Sequence, residues 1–158
     1  MKFSVTYFSS PVGLLKLTGK QGALMSVEFT TTASEDPFEE EFLGNAVQQL
    51  DEYFAGHRKK FELPLHPVGT HFQLTVWDEL QKISFGKTVS YEDIARSLGD
   101  IKVIRAAATA NGRNPLPIII PCHRVIGKDG SLTGYSGGLW RKKWLLDFEM
   151  REIQPRLL

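Results

Sequence analysis

Residues 90–111 read Ser90-Tyr91-Glu92-Asp93-Ile94-Ala95-Arg96-Ser97-Leu98-Gly99-Asp100-Ile101-Lys102-Val103-Ile104-Arg105-Ala106-Ala107-Ala108-Thr109-Ala110-Asn111. Ser90 is a helix-capping residue, so a short helix is expected to open there and run through Leu98. Gly99 terminates it, and Asp100 can cap a second helix from Ile101 to about Asn111. Two short helices across a tight glycine turn make a helix-turn-helix. That motif often presents its second helix to DNA, yet many helical hairpins bind nothing. Lys102, Arg105 and Arg113, on the second helix or at its end, favour a nucleic-acid partner.

Working outward, Arg124-Val125-Ile126, the turn Gly127-Lys128-Asp129-Gly130 and Ser131-Leu132-Thr133 are expected to form a hairpin, the wing of a winged helix. A last helix follows Gly137-Gly138, from Leu139 through Met150. On the N-terminal side, Thr70-His71-Phe72-Gln73 is a capping box that opens a helix carrying Phe72, Val76, Leu80 and Ile83 and stopping near Gly86. Before it, Pro64-Leu65-His66-Pro67-Val68-Gly69 has the composition of a linker, so the domains are expected to be 1–66 and 67–158.

The first domain begins with strand-like alternation over residues 2–8, then 14–18 and 23–29, separated by Ser9-Ser10-Pro11-Val12-Gly13 and Gly19-Lys20-Gln21-Gly22. That predicts a three-stranded meander. Asp36-Pro37-Phe38-Glu39 reads as a helix start, with Asp36 as N-cap and Glu39 closing a capping box. Phe38, Phe42, Ala46, Leu50 and Phe54, joined by Leu43 and Val47, should cover the sheet until Gly56 ends the helix. Phe61-Glu62-Leu63 is expected to return as a further strand. The fold class is α+β: a small antiparallel sheet with one covering helix, then a helical domain with a winged helix-turn-helix.

The chain has 158 residues, 42% of them hydrophobic, enough for a real core. Net charge is +1, but residues 70–158 carry thirteen Lys/Arg against nine Asp/Glu, and residues 1–69 six against nine. A basic segment beside an acidic one points toward a polyanion, although a solvated face is the commoner meaning. No apolar run approaches the roughly 20 residues of a membrane span, and the start lacks a signal-peptide core, so an intracellular, cytoplasmic protein is expected. A single cysteine cannot build a disulfide framework or a cysteine zinc cluster, and His57, His66 and His71 have no ligand spacing. Neither a metal nor a cofactor is expected.

That cysteine lies in Ile120-Pro121-Cys122-His123-Arg124-Val125. A free cysteine is often a small buried hydrophobe. Against that, thiolate formation is favoured by imidazole and positive charge, which His123, Arg124 and Lys128 can supply. Pro115, Pro117 and Pro121 also stiffen the approach to the thiol. A nucleophile is favoured over a filler.

Several stretches together resemble the 6-O-alkylguanine-DNA alkyltransferases: Asn114-Pro115, Pro117 to Val125, Tyr135-Ser136-Gly137-Gly138-Leu139 and Trp144-Leu145-Leu146-Asp147-Phe148-Glu149. The likeness runs without gaps from near Phe72 to Glu149, and residues 1–66 look like the family's variable small domain. It implies direct repair of DNA, with the alkyl group of 6-O-methylguanine, and by extension 4-O-methylthymine, transferred irreversibly to Cys122. On this reading His123 is the base that takes the thiol proton through a water, and Glu149 orients its imidazole. Asn114 ties the active-site loop to the helix-turn-helix. Tyr91 helps rotate the flipped nucleotide, and Pro117, Val125, Tyr135 and Ser136 belong to the pocket. Arg105 takes the place of the flipped base, with Ala106, Lys102 and Arg113 at the DNA surface. Ala106, Ala107, Ala108 and Ala110 should give a face of small side chains, with Ala108 where the family pattern has glycine. The partner implied is double-stranded DNA bound through its minor groove by a monomer. Two other classes compete: a winged-helix DNA binder without chemistry, and a cysteine hydrolase. Adjacent Cys-His is poor evidence for the hydrolase.

Overall fold

The structure, a computed structural model, describes residues 3–33 and 40–154. It divides into two compact units, Met1–Val68 and Gly69–Leu158.

In the first unit β1 (Ser4–Ser10), β2 (Gly13–Lys20) and β3 (Ala23–Thr30) form the antiparallel meander, in the order β1-β2-β3. Lys20 pairs with Ala23 across a two-residue turn in which Gln21 and Gly22 both have positive φ, 53° and 81°. Such a turn has the twist that the flanking strands require. Leu15, Leu17, Leu24 and Val27 face the core. The inward positions of β1 are the polar Ser4 and Thr6, while Val5 and Tyr7 are half-buried on its other face.

The covering helix α1 spans Glu41–Phe54, with Glu40 extended as its N-cap. The expected start at Asp36, Pro37, Phe38 and Glu39 lies outside the described residues. The buried face is Leu43, Ala46, Leu50 and Tyr53 rather than the strict every-fourth series, and Phe42, Val47 and Phe54 are half-buried beside it. Steps of four overrun the 3.6-residue turn by about 40° each, so such a series rotates off the core. Its outer members still pack. Phe54 stacks on Phe8 at 6.2 Å, and Phe42 lies over Gly19, where a Cβ would collide with its ring. Residues 61–63 are not a strand. Gln49 captures that backbone instead, its Nε2 donating to the Glu62 carbonyl (3.1 Å) and its Oε1 accepting from the Glu62 N–H (2.8 Å). The chain reaches the sheet just after, where a parallel bridge pairs Leu65 with Leu24: the Leu24 N–H donates to the Pro64 carbonyl (2.9 Å) and the His66 N–H to the Leu24 carbonyl (2.8 Å).

In the second unit α2 (His71–Leu80) opens on the Thr70/Gln73 capping box. A two-residue strand β4 (Val89–Ser90) leads into α3 (Tyr91–Ser97), whose cap is Ser90 bonded reciprocally with Asp93. Gly99, at φ +90°, makes the turn, and the Asp100 carboxylate accepts from the Lys102 N–H to start a 3-10 turn, Ile101–Val103. That turn runs into α4 (Ile104–Gly112). Here the helix-turn-helix is complete, and Trp77 Nε1 ties α2 to it by donating to the Ala110 carbonyl at 2.8 Å. Along α4, Ala107 and Ala110 face the core, Ala108 is half-buried and Ala106 is exposed. At about 100° per residue, four nearly consecutive alanines cannot share one face.

The wing differs from the hairpin expected. Val125–Ile126 forms β5, but its partner is β4, in parallel. Residues 127–131 do turn, with the Gly127 N–H bonded to the Ser131 carbonyl, yet residues 131–135 form no strand. The final helix α5 spans Leu139–Ile153. Among the described residues no helix is long and apolar enough to cross a membrane.

Candidate active site

The chain reaches Cys122 through a loop of unusual backbone. Ile118, β-branched and fully buried, has φ +75°, a conformation that bulky L-residues adopt only when their surroundings impose it. Pro121 sits at φ −81°, ψ 62°, and the Cys122 N–H donates back to the Ile120 carbonyl at 2.8 Å. This is an inverse γ-turn, which proline's fixed φ favours. Two asparagines hold the loop. Asn114 Nδ2 donates to the Ile120 carbonyl (2.8 Å) and its Oδ1 accepts from the Leu116 N–H (2.9 Å). Asn111, in the last turn of α4, donates to the Cys122 carbonyl at 3.4 Å. The helix-turn-helix and the thiol loop are thus tied directly.

Residues Cys122–Arg124 form a 3-10 turn, in which successive side chains diverge by about 120°. Cys122, His123 and Arg124 are all buried, and Arg124 is engaged by Glu149 and Ile83. Its Nε and Nη2 bond the two carboxylate oxygens of Glu149 at 2.8 and 3.0 Å, and Nη1 donates to the Ile83 carbonyl at 2.7 Å. Lys128 is exposed and pairs with Glu92 at 3.1 Å. Neither cation is therefore spent on the thiol, contrary to what their proximity in sequence suggests.

His123 Nε2 lies 2.7 Å from Glu149 Oε2, and both side chains are buried. Burial raises the Glu149 carboxyl, but hydrogen bonds and charge from His123 and Arg124 more than offset this and hold it well below the usual carboxylate range. The His123 imidazole is pushed down by burial, against the pull of Glu149. A neutral ring beside an ionised carboxylate must carry its proton on Nε2, as the donor. Nδ1 is then an acceptor, and it is buried without a hydrogen-bond partner among the described residues. The site holds a base with its lone pair open.

Burial also pushes the Cys122 thiol up to about 11, while the Asn114 side chain and the charge of Lys142 pull the other way. The resting sulfur is a thiol. Among the other predicted residues, Tyr91 begins α3, and its hydroxyl donates to the Thr133 carbonyl at 3.0 Å. Pro117 and Tyr135 are buried, Val125 is fully buried in β5, and Ser136 is exposed. Lys102, Arg105, Ala106 and Arg113 are all exposed on the 3-10 turn, on α4 or just after it. Among the described residues, no group of three or more His, Cys, Asp or Glu could hold a metal. Three participants were missed in the sequence: Asn111, Arg124 as the partner of Glu149, and the Gly86 N–H, which donates to Glu149 at 3.1 Å. All three act through contacts between segments distant in sequence.

Fold and site together define a helix-turn-helix protein that carries a buried cysteine nucleophile with its own histidine-carboxylate pair. Residues 71–151 match the family model of the 6-O-methylguanine DNA methyltransferase DNA-binding domain, and residues 4–67 that of the same proteins' ribonuclease-like domain. The methylated-DNA–protein-cysteine methyltransferase of Methanosarcina acetivorans is 45% identical over 148 residues, covering 90% of this chain and 95% of its own. The crystal structure of Mycobacterium tuberculosis O6-methylguanine methyltransferase superposes with a TM-score of 0.87 at 39% identity, covering 98% and 97% of the two chains. A structure of that mycobacterial protein in complex with DNA superposes at 0.83 with 40% identity, covering 95% and 93%. The chain belongs to the 6-O-methylguanine DNA methyltransferase family.

Proposed function

We propose that this chain repairs alkylated DNA by a single displacement onto Cys122. His123 Nδ1 takes the thiol proton through a water. The sulfur attacks the alkyl carbon on the guanine oxygen, an S–C bond forms and the C–O bond breaks. The electron pair stays with guanine, whose developing negative charge is stabilised by hydrogen bonds and which takes up one proton, so that the proton lost by the thiol is balanced by the one gained by the base. The product is a thioether that water does not cleave, so each molecule acts once, unlike an acyl-enzyme, which is hydrolysed and regenerated. The observation that carries this reading is the buried His123 imidazole next in sequence to Cys122, with Nε2 fixed on Glu149 at 2.7 Å and Nδ1 without a hydrogen-bond partner among the described residues.

The remaining assignments rest on the likeness to the family and on exposure. The substrate is double-stranded DNA with 6-O-methylguanine or 4-O-methylthymine, approached through its minor groove by a monomer inside the cell. A stacked base cannot reach a buried sulfur, so the nucleotide is extruded, at a cost of a few kcal/mol. Arg105 fills the gap, Ala106 lets the backbone approach, and Lys102 and Arg113 meet phosphates. Tyr91 turns the nucleotide, Tyr135 stacks on the base, Ser136 donates to its oxygen, and Pro117 and Val125 back the pocket. Residues 67–158 carry the chemistry and residues 1–66 form the small domain. Intact-protein mass spectrometry after incubation with methylated duplex tests the core of this. We expect one methyl increment on Cys122, none on C122A, and retained lesion binding by C122A. Loss of more than one lesion per protein, or repair by C122A, overturns it.

A further inference from the structure

Arg141 lies in the first turn of α5, a turn that carries no acidic residue. A cation at that end opposes the helix dipole, so helix energetics do not account for it. Its side chain reaches back out of the helix instead. Nη1 donates to the Gly137 carbonyl at 2.8 Å, and the guanidinium stands 4.5 Å from the centre of the Trp140 ring. That indole is 55% exposed, and its Cδ1 lies 3.6 Å from where a Cβ on Gly138 would stand. The Arg141 backbone N–H bonds the Gly138 carbonyl at 3.2 Å, which leaves the Gly137 carbonyl to the side chain. The segment so gripped is a tight turn. The Gly138 N–H donates to the Tyr135 carbonyl at 2.9 Å, Ser136 and Gly137 are the two middle residues, and Gly138 has φ +92°. Tyr135 and Gly137 are buried, and Ser136 is exposed. Burial raises the Tyr135 hydroxyl well above its usual range, Cys122 adds to the rise and Arg141 opposes it, so the turn stands within electrostatic reach of both the sulfur and the guanidinium.

We propose that Arg141 is a positioning residue that locks the Tyr135–Gly138 turn and so fixes the width of the pocket at the alkyl group, favouring a small substituent over a bulky one. The proposal rests on the reading of Cys122 as the alkyl acceptor and of Tyr135 and Ser136 as pocket wall. Two glycines in a row give the peptide between Gly137 and Gly138 little resistance to rotation, so the restraint has to come from outside the turn. A planar guanidinium supplies it. Its edge donates while its face stacks, which fixes the Gly137 carbonyl in direction as well as in distance. With that carbonyl held, the turn keeps one conformation, and Tyr135 and Ser136 keep one placement beside the reacting carbon.

The test compares R141M and R141K with the unchanged protein in single-turnover transfer from two saturating duplexes, one carrying 6-O-methylguanine and one with benzyl in place of methyl. R141M keeps an aliphatic stem and loses the donor. Methyl transfer should slow about tenfold, the worth of one hydrogen bond from a charged donor. Benzyl transfer should slow far less, so the benzyl-to-methyl rate ratio should rise. R141K can still donate to the carbonyl and should return the ratio most of the way. A merely structural arginine would lower both rates together through the fraction folded, so an unmoved ratio in R141M overturns the proposal, as does a ratio that R141K does not restore. If R141M does not fold, W140A removes the surface on which the guanidinium rests and keeps its hydrogen bond. Its ratio should shift in the same direction, and an unmoved one overturns the proposal equally. Transfer of neither group by the unchanged protein would refute the acceptor reading instead. Amide exchange then still decides the locking: the Gly138 N–H should exchange faster in R141M, and equal exchange overturns it.

Discussion

Glu149→Gln is the most discriminating single change at this site. Four donors converge on the carboxylate: His123 Nε2 at 2.7 Å, Arg124 Nε and Nη2 at 2.8 and 3.0 Å, and the Gly86 N–H at 3.1 Å. The amide keeps one acceptor oxygen and turns an N–H₂ either toward Arg124 and Gly86, which can only donate, or toward His123 Nε2, which accepts only in the tautomer that protonates Nδ1 and so removes the open base. Arg124, its side chain 6% exposed, is left without a counter-ion. Breaking a buried pair from one side costs about 3–5 kcal/mol, so urea unfolding should show a loss of that order. Transfer should fall by about 10²-fold or more, the usual worth of a positioned base, because a neutral amide no longer stabilises the imidazolium. R124M/E149L separates the two effects. Replacing both members of a buried pair by apolar groups is often neutral for stability, so this variant should regain most of the lost stability but not the transfer rate. Rapid-quench single-turnover kinetics beside urea titrations decide the matter. E149Q transferring at the unchanged rate, or R124M/E149L regaining both quantities together, refutes a role for Glu149 in the chemistry.

The same pair sets the acid limb of stability. The folded Glu149 pKa lies below its unfolded value of 4.5, so its contribution is complete above that pH and is lost as pH falls through the folded value. His123, depressed from 6.5, acts in the same direction, since the buried neutral ring must be charged at low pH. E149Q should therefore lose stability less steeply below pH 4.5 than the unchanged protein.

Two further outcomes report on the helix-turn-helix. Gly99→Ala places a Cβ in open space but at φ +90°, so the cost is backbone strain alone, about 1–2 kcal/mol, read as a lower urea midpoint. A shift within error would mean the turn relaxes freely. K102A and R113A should each lower duplex affinity and reduce the slope of log affinity against log salt by about 1, the effect of one lost phosphate contact; an unchanged slope removes that residue from the DNA surface.

What the sequence disclosed was local chemistry. Thr70 with Gln73, Ser90 as the cap of α3 and Asp100 after Gly99 bond within three residues of themselves, so the helix starts could be read from them. Pairings between distant segments could not. Val125–Ile126 was assigned a hairpin partner ahead of it, whereas its partner lies 36 residues behind, at Val89–Ser90. Residues 61–63 look strand-like, but a helix side chain takes their hydrogen bonds. In the site, Cys122 and His123 stood out because their chemistry is rare side by side. Arg124 misled because adjacency in sequence implies nothing about direction in a 3-10 turn. The φ of Ile118 is imposed by packing and leaves no trace in residue type.

The raised thiol fits a nucleophile that is used once. An exposed thiolate would react with any passing electrophile, and each such event would remove a molecule from service. Burial pushes Cys122 up to about 11, which leaves the resting sulfur protonated and weakly nucleophilic at neutral pH. The group proposed to draw the proton off is already in place, a buried His123 imidazole fixed by Glu149. What is missing at rest is an alkyl carbon within reach. In the proposed mechanism an extruded base supplies it, and as the proton leaves for His123 the developing thiolate is spent on the carbon in the same event. Restraint and readiness thus have one physical origin, burial, which penalises an isolated thiolate and strengthens the action of the His123–Glu149 pair on a reacting one.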